Sequence, residues 1–316
     1  MSGVAPPAAA EVERAADVLR DVAVHTQLVA LRGCEDVWLK PEIHQPVGCF
    51  KIRGVYHAVH AMAPEARAHG ISTVSAGNTA KALAWCGRRF GVEARSLMPD
   101  HAPKSKIEAV RALGGTPVLV PVDDVFAYLK EHRWEQEPYG FVHPWTSRDV
   151  LVGHATLALE LARDLPDLDT VYVPVGGGGL LGGVGGGLRA LLPDVRIVAV
   201  EPEGCPSLHA ALQAGHPVDV DCDTICDGVA VPYMTDEMFP LLRDLADDSV
   251  LVSERAVADA IRHLALKNHI VAEGSGALAV AAALAEPPER RGRAVALVTG
   301  GSIDAPKLAA LLDPSR

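Results

Sequence analysis

Nine of the twelve residues from Gly176 to Gly187 are glycine (GGGGLLGGVGGG), directly after the apolar run TVYVPV and directly before Leu188-Arg189-Ala190-Leu191-Leu192. Residues without a side chain cannot build a core, so the run must serve as a junction between a strand and a helix. In that place the backbone amides can converge on an anion, and the free N–H groups of the helix start add partial positive charge. A flexible linker is the bland alternative; the apolar strand before the run and the helical run after it argue against one. Gly177-Gly178-Gly179-Leu180-Leu181-Gly182 also satisfies GxGxxG, and the next strand ends at Glu201, about where a ribose-binding acid would stand. No Gly-Lys-Ser/Thr follows, so a Walker loop is excluded. The run alone leaves a phosphate-bearing cofactor and a dinucleotide equally open.

Short β-rich runs recur between helical stretches: Val37 to Leu39, Ser72 to Ser75, Ser96 to Met98, Pro117 to Val122, Val171 to Val175, Ile197 to Val200, Val250 to Val252 and Ala294 to Val298. His154 to Asp164 and Glu254 to Asn268 carry apolar residues at helical spacing, with Ser253 as an N-cap. This alternation predicts parallel sheets in an α/β fold. At 316 residues, 49% hydrophobic and 4% aromatic, the chain has room for two lobes. The Pro- and polar-rich stretch Glu135 to Asp149 suggests a crossing between them.

A net charge of −11, from 40 acids against 29 bases, repels phosphate backbones and anionic membranes, and neither nucleic acid nor membrane is expected as a partner. The N-terminal residues show no positive leader, and apolar runs such as Ala277 to Ala285 are too short to span a bilayer, so a cytoplasmic protein is expected. Cys34, Cys49, Cys86, Cys205, Cys222 and Cys226 form no CxxC pair and are expected as reduced, mostly buried thiols. Thirteen histidines include no HExxH.

Lys51 is framed by Pro46-Val47-Gly48-Cys49-Phe50 and Ile52-Arg53-Gly54 near a helix start. Burial there would lower its pKa toward a nucleophilic range suited to Schiff-base chemistry with an aldehyde cofactor; a snorkelling surface lysine is the alternative. Two further loops lie at strand ends. Ser75-Ala76-Gly77-Asn78 offers backbone amides and an Asn amide, and Val298-Thr299-Gly300-Gly301-Ser302 offers a hydroxyl on a glycine-freed turn. Open α/β sheets bind ligands at these carboxyl ends.

Taken together, the motifs resemble the fold-type II pyridoxal-phosphate enzymes, and among them the threonine/serine dehydratase and serine racemase branch. PVGCFKIRG is similar to that family's GSFKxRG segment, SAGNTAKA to its SAGNHAQG loop and VPVGGGGLLGG to its phosphate loop. CDGVAV, EGSGALAVAAAL and VTGGSID resemble its ADGVAV, EPxGAxAVAAL and SGGNxD stretches, in family order from about Leu28 onward. The resemblance implies a two-domain parallel-sheet fold of the tryptophan synthase β-like kind, with a large domain of residues 1–60 and 146–316, a small domain of 65–142, and pyridoxal 5′-phosphate in the cleft. It makes Lys51 the Schiff-base lysine and general base, sets Phe50 against the ring and Asn78 at the 3′-oxygen. It gives the phosphate to Gly176, Gly177, Gly178 and Gly179, and the pyridine nitrogen to Thr299, with Gly228 and Glu273 in the same pocket. Ser75, Ala76, Gly77 and Thr79 would bind a small amino-acid substrate.

The implied activity is elimination of water from a β-hydroxy amino acid such as L-threonine or L-serine, giving a 2-keto acid and ammonia, in a homodimer. A β-replacement synthase or a racemase of the same fold and, more distantly, a nicotinamide-dependent dehydrogenase are the alternatives. Several residues depart from the family pattern: Cys49 stands for serine, Thr79 for histidine, Lys81 for glutamine and His154 for glutamine. Ala76 stands where racemases carry serine, the base of the opposite face. The metal-using members' cation site would map to Glu201, the Cys205 carbonyl and Ser207, where a carboxylate is missing, so no metal is expected.

Overall fold

The apolar runs form ten strands: β1 (Val29–Ala30), β2 (Val37–Pro41), β3 (Ile71–Val74), β4 (Ala94–Pro99), β5 (Thr116–Val120), β6 (Gly140–Phe141), β7 (Thr170–Pro174), β8 (Arg196–Pro202), β9 (Asp248–Val252) and β10 (Ala294–Val298). This computed structural model describes residues 3–75 and 77–313, and Ala76 therefore lies outside the described residues. A six-stranded sheet has the order β1-β2-β10-β7-β8-β9 and a four-stranded sheet the order β5-β4-β3-β6. Every pairing is parallel except that of β1 with β2. There the chain reverses through Gly33 (φ 80°) and Asp36 (φ 54°), and Leu31 N donates to Val37 O at 2.8 Å. β1 and β6, two residues each, are too short to leave a periodic signal in the sequence.

Side-chain alternation along the buried strands divides the larger sheet's two faces. Val171, Val173, Ile197, Ala199, Val295 and Leu297 join one core, which also holds Leu151, Leu157, Leu181 and Leu188 from helices Arg148–Asp164 and Gly179–Leu191. Tyr172, Val198, Val200, Ala294, Ala296 and Val298 face a second core with helices Glu254–His263 and Gly274–Ala285. Ser253 caps the former helix by accepting from Ala256 N at 3.2 Å. The expected continuation to Asn268 exists, but as a π-helical turn, Leu264–Asn268.

The glycine run is only partly a loop. Its helix begins at Gly179, so the later glycines are helical, and two of them meet neighbours differently. A Cβ on Gly183 would lie 2.6 Å from Leu151 O and 2.7 Å from His154 Cβ of helix Arg148–Asp164, so the two backbones touch there. On Gly185 it would make ordinary contacts, at 3.4 Å from Leu245 Cδ1.

Helix Lys51–Ala61 is fixed from beneath by a buried ionic network. Arg53, 1% exposed, donates from Nε to Glu42 Oε2 (2.7 Å), from Nη2 to Glu42 Oε1 (2.9 Å) and from Nη1 to Glu160 Oε1 (2.6 Å). Burial works to raise the Glu42 carboxyl, but the Arg53 guanidinium, Thr26 and Gln45 outweigh it and hold it below the ordinary range.

The expectation of six reduced thiols needs one correction: Cys205 and Cys222 are joined in a disulfide, with a Cα–Cα separation of 4.4 Å. They stand seventeen positions apart in sequence, a spacing with no motif, and the bond forms because the chain after the helix Ser207–Ala214 folds back over the end of β8. Cys34, Cys49, Cys86 and Cys226 are free.

Gly183→Ala is expected to lower unfolding stability by about 1–3 kcal/mol through the clash with Leu151 O. Gly185→Ala should be neutral or stabilising by up to about 1 kcal/mol, as alanine is the better helix former. Urea melts of the two variants check the contrast; equal losses would contradict the close-packing account.

Candidate active site

A cavity of about 570 Å³ opens where the carboxyl ends of the larger sheet's strands face the smaller sheet. Its lining includes Phe50, Lys51, Ser75, Gly77, Asn78, Thr79, Gly176, Gly177, Gly178, Gly179, Gly228, Glu273 and Thr299, so the described residues that the resemblance gives to cofactor and substrate all line it.

Backbone hydrogen bonds fasten the lysine's segment to the end of β10. Phe50 N donates to Thr299 O at 3.0 Å, Gly301 N to Gly48 O at 3.1 Å and Glu273 N to Gly300 O at 3.1 Å, and Cys49 bridges Gly300. Gly48 has φ 73°, a left-handed turn that favours glycine. Lys51 opens its helix with Nζ 5.0 Å from the Phe50 ring centroid, and among the described residues it has no carboxylate partner. Burial without such a partner lowers its amine to about 8. Cys49, fully buried, is pushed up to about 11 by the same cause, so its thiol stays protonated and serves as packing.

On the facing side, Asn78 begins helix Asn78–Phe90 and donates from Nδ2 to Glu273 Oε1 at 2.6 Å. Burial raises the Glu273 carboxyl. Asn78 Oδ1, Glu273 Oε2 and Ser275 Oγ are buried with no partner among the described residues, and all three residues line the cavity. Buried oxygens left this way are costly unless a polar ligand answers them. Thr299 Oγ1 donates to Ser275 O at 3.3 Å. Gly77 N donates to Ser75 Oγ at 3.1 Å. Lys81 reaches past this loop to Val47 O at 3.1 Å and to Ser302 Oγ.

The glycine loop must stay bare. A Cβ on Gly177 would fall 2.3 Å from Trp145 Cδ2, and Gly178, at φ 89°, would meet Leu242 Cδ1 at 2.3 Å. The first intrahelical bond of the following helix is Gly182 N to Gly178 O at 2.8 Å, so the earlier amides are free for an anion.

His154 lies behind this wall, fully buried, with its ring 4.7 Å from Phe50 and both ring nitrogens unpartnered among the described residues. Burial, helped by the charges of Lys51 and Arg53, holds it neutral, well below the usual histidine range. Glu201 is elsewhere: its oxygens accept from Leu208 N and His209 N, each at 2.8 Å, and cap helix Ser207–Ala214. Burial pushes it up to about 7. A carboxylate so engaged cannot read a ribose, which removes the basis of the dinucleotide reading. Among the described residues no cluster of His, Cys, Asp and Glu is arranged to hold a metal ion.

The sequence reading missed Trp145, which backs the phosphate-sized loop, and the ion pair between Lys106 and Asp227 at the cavity's edge. Neither sits in a motif; Asp227 stands inside CDGVAV, but its partner is set by the tertiary fold.

The family described as pyridoxal-phosphate dependent enzyme matches residues 22–300. The L-threonine ammonia-lyase of Thermotoga maritima is 38% identical over 273 residues, covering 85% of this chain and 68% of that protein. The biosynthetic L-threonine dehydratase IlvA of Escherichia coli is 40% identical over 248 residues, 78% of this chain; the chain spans about half, 48%, of its length. Maize serine racemase superposes with a TM-score of 0.89 at 28% identity, covering 97% of each chain. A match over most of the chain, on a fold whose cavity gathers a depressed lysine, a bare glycine loop and unanswered oxygens, establishes that the chain belongs to the pyridoxal-phosphate dependent enzyme family.

Proposed function

We propose that the chain is a threonine/serine ammonia-lyase, eliminating water from a small β-hydroxy amino acid to give a 2-keto acid and ammonia. The observation that carries the proposal is Lys51, an amine lowered to about 8 in the same cavity as the glycine loop and the Ser75–Thr79 loop. The names of the Thermotoga and Escherichia relatives support it.

The cavity fits the cofactor on its own evidence. Free amides on bare glycines suit a phosphate dianion, and the unpartnered oxygens of Asn78, Glu273 and Ser275 await polar groups. In our assignment Gly176 to Gly179 hold the phosphate, Asn78 and Glu273 take the ring's oxygen side, and Thr299 faces the ring nitrogen, with Gly228 and Phe50 shaping the walls. When bound, pyridoxal 5′-phosphate supplies an aldehyde for amines and a conjugated ring that draws electron density from Cα.

The chain's residues do the rest. Amides of the loop from Ser75 through Ala76 and Gly77 to Thr79 bind the substrate carboxylate and aim its Cα–H toward Lys51. The neutral amine of Lys51 takes that proton, the ammonium so formed returns it to the departing β-hydroxyl, which leaves as water, and the released enamine takes up water to give the 2-keto acid and ammonia. Phe50, Trp145 and the apolar flank Val125 and Leu129 limit the access of bulk water. Ala76 carries no acid or base, which favours elimination over racemisation despite the likeness to serine racemase. We place the two sheets in two domains, residues 1–60 and 146–316 and residues 65–142, with the cavity as their cleft. We also propose a cytoplasmic homodimer. Exposed Val24, Leu266 and Val271 offer apolar surface for a second copy, and among the described residues no helix is long and apolar enough to cross a membrane.

Lys51→Ala is expected to cut ammonia release from L-threonine and L-serine by about a thousandfold or more while leaving the melting temperature within a few degrees. Retention of a tenth of the activity would refute the assignment.

Covalent attachment of pyridoxal 5′-phosphate to the apoprotein needs the neutral amine. Since burial lowers the Lys51 pKa, the neutral fraction grows as pH rises through about 8, and the attachment rate should climb to a plateau just above that pH. A rate still climbing toward the ordinary lysine value of 10.5 would show that the amine is not depressed.

A further inference from the structure

Much of one cavity wall comes from residues 216–233, a stretch whose regular structure amounts to one short turn, Asp227–Val229, and an isolated bridge between Asp219 and Tyr233. From it Cys222, Asp227, Val229 and Val231 line the cavity. The covalent tie that holds this stretch to the sheet is the Cys205–Cys222 disulfide. Its two sulfurs differ in access. Cys205, 1% exposed, is set just after β8 with its N–H donated to Pro202 O at 3.1 Å, whereas Cys222 is exposed at the cavity's mouth. The elimination chemistry uses neither.

We infer that the Cys205–Cys222 disulfide is a thiol-exchange site, through which a small dithiol loosens the cavity wall. Exchange begins where a thiolate can reach sulfur, and here that sulfur is Cys222 Sγ. Attack forms a mixed disulfide with Cys222 and expels the Cys205 thiolate. The second thiol of the reagent then attacks its own sulfur in the mixed disulfide, closes a cyclic disulfide and expels the Cys222 thiolate. The dithiol gives up two electrons and two protons, and each cysteine ends as a thiol.

Reduction frees residues 216–224 from their covalent tie, while Cys226, Val229 and Tyr233 further along stay buried in the two cores. Asp223 N still donates to Gly204 O at 2.8 Å and Ile225 N to Glu254 Oε2 at 2.9 Å, while Asp227 keeps its ion pair with Lys106. Ahead of those anchors, the remaining polar contacts fix residues 216–224 less tightly than a covalent bond to a buried cysteine. The reduced form therefore carries a looser wall, a higher KM and a smaller change in kcat; this kinetic part rests on the proposed ammonia-lyase activity.

The test uses the full-length holoenzyme purified without reductant. Alkylation after denaturation, read by peptide mass spectrometry, should label Cys34, Cys49, Cys86 and Cys226 and spare Cys205 and Cys222; incubation of the native protein with dithiothreitol should expose both. The reduced form should be cut about tenfold faster within residues 216–224 by a protease of broad specificity. Its KM for L-threonine should rise by about threefold. Cys222→Ser and the double variant Cys205→Ser/Cys222→Ser should match reduced wild type without dithiothreitol and fail to respond to it. Labelling of all six cysteines before reduction, a bond that resists dithiothreitol in the native protein, or an unchanged cutting rate would overturn the inference. If neither redox form releases ammonia from threonine or serine while labelling and cutting respond as stated, the proposed activity fails and the exchange site stands.

Discussion

The hydrogen bond from Phe50 N to Thr299 O is the contact on which the rest of the cavity depends. It joins the segment that carries Lys51 to the end of β10, a strand from the far end of the sequence, and Gly48, Cys49 and Gly301 extend the seam on either side. Because β10 lies in the middle of the larger sheet, between β2 and β7, the seam inherits the rigidity of a fully buried strand. The glycine loop is carried by β7 next door, and Glu273 is drawn in by its own bond to Gly300. Lysine, phosphate-sized loop and carboxylate are thus positioned by one pair of neighbouring strands.

Electrostatics follow from that placement. A lysine fixed at a helix start beside Phe50, with no carboxylate partner among the described residues, loses hydration and gains nothing in exchange, and its amine falls to about 8. Two residues further along the same helix, Arg53 is more deeply buried, at 1% exposed, but paired with Glu42 and Glu160, and it stays charged. The contrast explains how one helix turn holds a reactive amine above and a permanent cation below. The unpaired buried oxygens of Asn78, Glu273 and Ser275 are a destabilising feature for an empty protein and an advantage for one that binds a polar ring.

The sequence makes these parts legible because each needs residue types that little else needs: glycines where Trp145 and Leu242 leave no space for a Cβ, a lysine among apolar neighbours, an asparagine at a strand end. The parallel strands show through their apolar runs for the same reason. What was hidden depends on partners distant in sequence or on elements too short for a period. β1 and β6 have two residues each, and Trp145 and Lys106 acquire their places only from the tertiary fold. The Cys205–Cys222 pair has no motif spacing, and the helical half of the glycine run reads as loop until the neighbouring helix is seen pressing on Gly183.

The claim that Lys51 is the residue to which the cofactor attaches is tested most directly by trapping. The protein loaded with pyridoxal 5′-phosphate is reduced with borohydride, digested and mapped by mass spectrometry. The account predicts one stoichiometric phosphopyridoxyl adduct on the peptide containing Lys51. An adduct on Lys81 or Lys106 instead, or none on any peptide of a protein shown to retain the cofactor, would contradict it.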